Sequence, residues 1–345
     1  MIFGRAKREA TPLDDVDVVL ADLDGVVYAG PGALPHAVDS LNRAQEEGRR
    51  LGYITNNASR TDATVAAHLS SLGLRVAADD VVTSPQAAMR LMRDLVPAGS
   101  TVLVIGGEGL VVEVEKAGFV VTRSAEDAPA AVVQGFAPEV GWTQLAEAAY
   151  ALATPVEEGG IPWVATNTDW TIPQARGIAP GNGTLVSAVH TAVGRLATIA
   201  GKPERPIFDE AVTRTGATNP LFIGDRLDTD IQGARAAEMA SLLVLTGIDR
   251  PKQVLAAPPS RRPDFIVADL RELFEPYPST TVKGERTRVG DAVVEIDGVD
   301  LRIVSEGSRQ IDLLRAGAAA IWNSGRAIFG FRVPEQLYAD PFRVR

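Results

Sequence analysis

Short apolar runs that end abruptly on a polar residue recur along this chain, with helical stretches between them. VVLA stops at Asp22, YI at Thr55 and Asn56, TIAG at Lys202 and LFIG at Asp225. Between them, AVDSLNRAQEEG, TDATVAAHLSSLG, PIFDEAVTRTG and DIQGARAAEM carry the apolar spacing of amphipathic helices. Such alternation specifies βαβ units and a parallel sheet, whose strands are apolar on both faces. In an open parallel sheet, ligands sit outside the carboxyl ends of the strands. The four polar endings are therefore expected along one edge of one sheet, as a candidate site.

The pattern breaks off and resumes after residue 195. The intervening runs TVLVIGG, GFVVTR, AAVVQGF and WVATN, with WTQLAEAAYALAT between the last two, read as a second α/β domain inserted into a loop of the first. The expected organisation is a discontinuous core over 1–84 and 196–276, an insertion over 85–195, and a small α+β C-terminal domain over 280–345. LAAPPSRRP reads as a surface loop and EPYPSTTVKGE as a linker. Beyond it, AVVEIDGVDLRIVSEG is two alternating runs joined by Asp-Gly, a hairpin signal, and QIDLLRAGAAAIWNS is an amphipathic helix whose alanine-rich stripe is a packed face. This tail is expected to pack on the core or to mediate contacts in a homo-oligomer.

Composition removes whole classes of chemistry. With no cysteine among 345 residues, disulfides, thiolate zinc sites and a cysteine nucleophile are excluded. None of the three histidines, His36, His68 and His190, neighbours a second candidate ligand or a Gly-flanked serine, so a Ser-His-Asp triad has no support. A net charge of −10 argues against nucleic acid as a partner, because phosphate backbones are bound through clustered Lys and Arg. No apolar run is long enough to cross a bilayer, and MIFGRAKREATPLDD lacks the apolar segment of a secretory leader. A cytoplasmic protein is expected.

What remains is oxygen chemistry with one lysine. Asp22 and Asp225 would supply the anionic oxygens that a hard cation such as Mg²⁺ prefers. Lys202 and Thr55 would add a positive charge and a hydroxyl donor, the groups that hold and stabilise a phosphoryl group. The chain carries five lysines against 29 arginines, so a lysine at a strand end suggests that a point charge is wanted there. A carboxylate aimed at phosphorus can act as a nucleophile, and a second one two residues on can shuttle the proton. That assigns attack to Asp22 and acid/base work to Asp24, while Gly25 lets the chain turn beside them. Asp228 reads as a helix N-cap. IGGEGL fails the dinucleotide fingerprint at Val112, GKP fails the P-loop pattern at Pro203, and DTDIQG lacks the closing glutamate of a calcium loop, where Met239 stands.

DLDGVVY, ITNN, GKP and GDRLDTD, in that order, resemble the four motifs of the haloacid dehalogenase-type phosphatases. Within them they are similar to the subfamily of bacterial nucleotide phosphatases, pyridoxal phosphatase and phosphoglycolate or glycerol phosphatases. The resemblance spans residues 14–275 and implies a Rossmann-like core with a C2-type α/β cap. It makes Asp22 the nucleophile, Asp24 the acid/base, and Thr55, Asn56 and Lys202 the phosphate-binding residues. It places Mg²⁺ on Asp22, the Asp24 backbone carbonyl and Asp225, with Asp230 one layer further out. About 33 residues separate Asp22 from Thr55 and about 147 separate Thr55 from Lys202, so the cap falls between the second and third motifs. WVATNTDWTIPQARGIAPGNGTLVSAV resembles the cap's return segment, which makes Asn167, Asp169, Gly181 and Asn182 candidates for substrate contact, along with Asn57 and Arg60. The Arg- and Ala-rich composition and the tail most resemble actinobacterial members acting on glycerol 3-phosphate, which would tie the chain to glycerophospholipid turnover. Phosphoglycolate, pyridoxal phosphate and nucleoside monophosphates stand as alternative substrates, and a ligand-binding protein without turnover as an alternative of another class.

Overall fold

The computed structural model describes residues 10–174 and 176–342; the first nine residues, where no leader is read, lie outside them. The described chain divides into two compact units, one from 1–51 with 218–345 and the other from 52–217.

In the first unit, strands Val18–Ala21, Pro220–Gly224, Ala240–Val244 and Phe265–Val267 lie side by side in that order, all parallel. VVLA is buried along its whole length, and Leu221, Phe222 and Ile223 are fully buried, as strands covered on both faces must be. Helix Ala37–Glu46 buries Ala37, Ser40, Leu41 and Ala44, the i, i+3, i+4, i+7 stripe of a helix lying on a sheet.

The expected linker is not one. Thr280–Lys283 opens a four-stranded antiparallel meander that continues through Arg286–Val289, Ala292–Asp297 and Asp300–Ser305. All three connections are two residues long and begin on a glycine with positive φ, at Gly284, Gly290 and Gly298 (57°, 55° and 61°). This is the position where a tight hairpin turn needs that conformation. The hairpin expected at Asp-Gly is present, but its turn is Gly298-Val299, while Asp297 stays in the strand opposite Asp300.

Helix Gln310–Asn323 departs further from expectation. It is not amphipathic: Ile311 to Ala318 are buried without interruption, with Ala320 and Ile321. One hydrophobic core explains this, because Val289, Ala292, Val294 and Leu301 of the meander share it with Leu227, Ile231, Leu243 and Leu245 beside the parallel strands. The tail therefore packs on the core, and its helix is walled in on both sides. Small residues allow the close approach; at Gly317 the Leu337 side chain takes the place of a Cβ.

In the second unit, Arg50–Thr55 pairs in parallel with Val81–Thr83. A five-stranded parallel sheet follows, in the order Thr198–Ile199, Trp163–Ala165, Ala131–Gln134, Thr101–Ile105, Val120–Thr122. Alternate residues Leu103, Ile105, Val132, Trp163 and Ala165 face one way and pack with Ala148, Val186 and Val189 of helices Trp142–Ala151 and Asn182–Val193, and with Leu152 at the C-cap of the first. The sheet corrects one expectation. The short strand before Lys202 does not lie with the strands before Asp22 and Asp225; it is the edge of the five-stranded sheet of the second unit, paired with Trp163–Ala165. Its sequence fits an edge, since Thr198 is exposed and Ile199 half-buried, unlike the doubly buried core strands.

Candidate active site

The first unit assembles an acidic cluster at the carboxyl ends of its strands. Asp22 follows Val18–Ala21, its N–H donating to the Ile223 carbonyl at 2.8 Å. Carboxylate oxygens of Asp22, Asp225 and Asp230 lie within 4.8 Å of one another, and all three residues are buried. Asp230 stands in a π-helical turn, Leu227–Ile231, and its Oδ2 accepts the N–H groups of Asp225 and Arg226, both at 3.1 Å. The Ile248 N–H donates to Asp225 Oδ2 at 2.6 Å. Glycines make room: a Cβ at Gly25 or Gly247 would overlap the Asp225 carboxylate, and one at Gly224 the Asp230 side chain.

Like charges brought this close in a buried place are costly unless a cation joins them. An all-oxygen set of carboxylates suits Mg²⁺, so these residues fit the metal implied by the sequence. After Asp22 the chain turns tightly. Gly25 takes φ 80°, its N–H donates to the Tyr28 carbonyl, and the Thr246 hydroxyl donates to the Gly25 carbonyl at 2.7 Å. Asp24 is exposed on this turn, while Leu23 and Val26 beside it are buried.

Asp228 is not the expected N-cap. That position belongs to Arg226, and the Asp228 carboxylate accepts the Arg226 guanidinium in a two-point pair at 3.0 and 2.9 Å. Burial pushes the Asp228 carboxyl up, but the bond to Arg226 and its charge outweigh this and hold it below the usual carboxylate range. Sequence reasoning missed Asp249, whose Oδ2 accepts the Leu227 N–H at 2.6 Å. Burial, with the nearby charges of Asp228 and Asp230, pushes the Asp249 carboxyl up despite that bond. A signal was available, because TGID follows the parallel strand Ala240–Val244 just as the other polar endings follow theirs.

The second unit gathers the remaining candidates. Thr55 and Lys202 are buried, at 4% and 3% exposure, and the Thr55 hydroxyl accepts the Asn57 N–H. Asn56 ties the group together. Its Oδ1 accepts the Lys202 N–H at 2.8 Å, and its Nδ2 donates to the Lys202 carbonyl and to Asp169 Oδ1, both at 3.1 Å. The Asn56 carbonyl accepts from Asn167 Nδ2 and from the Ser84 hydroxyl, both at 2.7 Å. Asn167 Oδ1 accepts the Asp169 N–H, and Asn182 Nδ2 donates to the Asn167 carbonyl at 2.8 Å.

Backbone crowding explains the glycines here. A Cβ on Gly201 would overlap Asn56 Oδ1, and those of Gly181 and Gly183 the carbonyls of Asp169 and Thr168. Asn57 turns to its own loop, accepting from Ser59 N and Oγ, and Arg60 is exposed, with its backbone against Gly109. The structure thus brings Thr55, Asn56, Asn167, Asp169, Gly181, Asn182 and Lys202 into one unit, and Asp22, Asp24, Asp225 and Asp230 into the other.

Two family models match the chain: haloacid dehalogenase-like hydrolase over residues 19–120, and HAD-hydrolase-like over 199–273. The chain is 42% identical to the D-glycerol 3-phosphate phosphatase of Mycobacterium tuberculosis, over 95% of its own length and 90% of the relative's. It is 34% identical to human chronophin over 79% of this chain and 97% of that one. The crystal structure of a glycerol phosphate phosphatase from Mycobacterium tuberculosis, in complex with magnesium, is similar with a TM-score of 0.84 at 38% identity, covering 94% of each chain. The parallel strands with an acidic cluster at their carboxyl ends are those of an α/β hydrolytic enzyme. The chain belongs to the haloacid dehalogenase-like hydrolase family.

Proposed function

We propose that this chain is a Mg²⁺-dependent phosphomonoesterase whose substrate is glycerol 3-phosphate. The observation that carries the chemistry is the buried Asp22–Asp225–Asp230 cluster. The substrate is supported by the similarity to the mycobacterial D-glycerol 3-phosphate phosphatase, which extends over nearly the whole chain, tail included.

In the reaction, a carboxylate oxygen of Asp22 attacks phosphorus and the bond to the leaving alcohol oxygen breaks, with Asp24 giving that oxygen its proton. Asp24 then takes a proton from the water that attacks the aspartyl-phosphate, freeing phosphate and restoring Asp22. Thr55 and Lys202 bind phosphoryl oxygens through a hydroxyl and an ammonium group. The side chain of Asn56, engaged with the Lys202 backbone, serves by positioning it. Held by Asp22, Asp225 and the Asp24 carbonyl, Mg²⁺ would offset the negative charge where carboxylate and phosphate meet. Residues 85–195 act as the cap, with Asn167, Asp169, Asn182 and the exposed Asn57 and Arg60 as candidates for choosing the leaving group. Among the described residues no helix is long and apolar enough to cross a membrane, which accords with a cytoplasmic enzyme acting on a small metabolite.

The test is phosphate release from a panel of esters with Mg²⁺, for wild type and Asp22→Asn. Glycerol 3-phosphate should be hydrolysed fastest, and the variant should lose roughly 10⁴-fold or more in kcat. Faster hydrolysis of phosphoglycolate or pyridoxal phosphate would replace the substrate. Equal inertness of both proteins across the panel would make the chain a binding module.

A further inference from the structure

We infer that Asp249 is a positioning residue for the metal site, locking the backbone that follows Asp225, on both sides of Arg226, through two hydrogen bonds; this rests on the reading of Asp225 as a Mg²⁺ ligand. The chain leaves strand Pro220–Gly224 at Asp225 and enters the π-helical turn at Leu227, so Asp225 sits where one regular element has ended and the next has not begun. The turn takes up part of this junction, Asp230 accepting the N–H groups of Asp225 and Arg226 and the Arg226 carbonyl accepting from the N–H groups of Asp230 and Ile231, while the Asp225 carbonyl and the Leu227 N–H bond to a residue outside both elements. Arg226 stands at the N-cap, and its side chain makes no capping bond.

Asp249, reached through a different strand, fills the gap from outside. Its own N–H donates to the Asp225 carbonyl at 3.1 Å, and its Oδ2 accepts the Leu227 N–H at 2.6 Å. One residue thus clamps the segment at two points, on consecutive peptide units. Its neighbours continue the clamp. Ile248 N–H fixes Asp225 Oδ2 and so the plane of the carboxylate, and Gly247 lets the two backbones approach. The Thr246 hydroxyl reaches the Gly25 carbonyl in the turn that follows Asp22. Residues 246–249 therefore brace both acid-bearing segments, 22–25 through the Thr246 side chain and 225–227 through the Asp249 side chain.

A hydrogen-bonded acceptor orienting a ligand-bearing segment typically controls metal affinity by 10- to 100-fold. Asp249→Ala should weaken Mg²⁺ binding by about tenfold or more, measured by calorimetric titration of the substrate-free protein, with kcat at saturating Mg²⁺ falling less. Asp249→Asn keeps an acceptor oxygen without the charge and should stay within about threefold of wild type. Equal losses in both variants would overturn the hydrogen-bond account in favour of charge, and wild-type affinity in Asp249→Ala would overturn the proposal outright. Asp225→Ala is the control: if it binds Mg²⁺ like wild type, the reading of the site itself fails. Should Asp249→Ala not fold, Asp249→Leu, which keeps the side-chain shape without the acceptor, carries the same expectation. Failure of both to fold overturns the proposal, because Asp249 would then determine the fold and not the site.

Discussion

Two regions of the first unit bury carboxylates, and they satisfy them by different means. At the ends of the parallel strands, Asp225 and Asp230 accept backbone N–H groups from Ile248, Asp225 and Arg226, with Asp22 close by. Under the tail, Asp312 and Glu272 accept from guanidinium groups instead. Arg315, 4% exposed, donates to Asp312 at 2.7 Å, to Glu272 at 2.7 Å and to the Ile266 carbonyl, and lies 4.2 Å above the Tyr277 ring; Arg309 adds a second cation on Glu272. Peptide dipoles hold a carboxylate in place while leaving it a ligand for a cation. A guanidinium neutralises it and uses up its oxygens. The same residue type therefore serves chemistry in one place and cohesion in the other.

The largest effect separating the two regions should come from Arg315. Removing one partner of a buried, hydrogen-bonded ion cluster leaves uncompensated charge, so Arg315→Ala should cost about 3–5 kcal/mol of stability. The loss should appear in urea unfolding, while calorimetric Mg²⁺ affinity of the folded fraction stays close to wild type. A loss of stability under 1 kcal/mol would mean that the tail helix is held by apolar packing alone, and the contrast would collapse.

How much of this was legible in the sequence depends on whether the signal was local. The parallel strands, their polar endings and the acids at positions 22 and 225 announce themselves, because alternation and strand-end chemistry are written in contiguous residues, whereas Asp230, in the turn beyond, is marked only by its resemblance to a family motif. The tail was less legible for two reasons. Its hairpin turns begin on Gly284, Gly290 and Gly298, and only the last was preceded by an aspartate that drew attention, one residue early. Burial of its helix on all sides depends on Leu227, Leu245 and Leu255, distant residues that no local periodicity reveals. The burial of Arg315 is hidden for the same reason: its partners at 266, 272 and 277 lie about 40 to 50 residues away. Asn56, expected at the phosphate, also engages the Lys202 backbone through its side chain, a contact across 146 positions that no local pattern reveals.

The next effect runs in the opposite direction. Three carboxylates within 4.8 Å repel one another when no cation is bound, so neutralising one should relieve the protein. Metal-free Asp22→Asn should be more stable than metal-free wild type by about 1 kcal/mol, a common trade between stability and function. Its thermal midpoint should also gain less on addition of Mg²⁺. Neutralising Asp312 to Asn should instead destabilise. Were both substitutions to shift the melting temperature in the same direction, the division between a cluster built for a cation and one built for cohesion would be lost.

The smallest effect concerns a third arrangement, at the other end of the strand that leads to Asp22. Asp17 accepts from Thr218 N and Oγ1 at 2.7 and 2.6 Å and from Asn219 N at 3.0 Å. Burial pushes its carboxyl up, but these bonds together outweigh it and hold the group below the usual carboxylate range. A carboxyl whose folded value is depressed contributes stability above its unfolded value, about 3.9, and loses it as pH falls through the folded one. The stability difference between wild type and Asp17→Asn should thus be present at pH 7 and shrink as pH drops below about 4. Solvent screens this site, so the difference should stay within about 1 kcal/mol. The measurement is a pair of urea titrations at neutral and acid pH, both with metal removed. A difference that persists unchanged into acid would show that the Asp17 hydrogen bonds do not depend on its charge, and that neutral donors can hold a carboxyl here as well as a carboxylate.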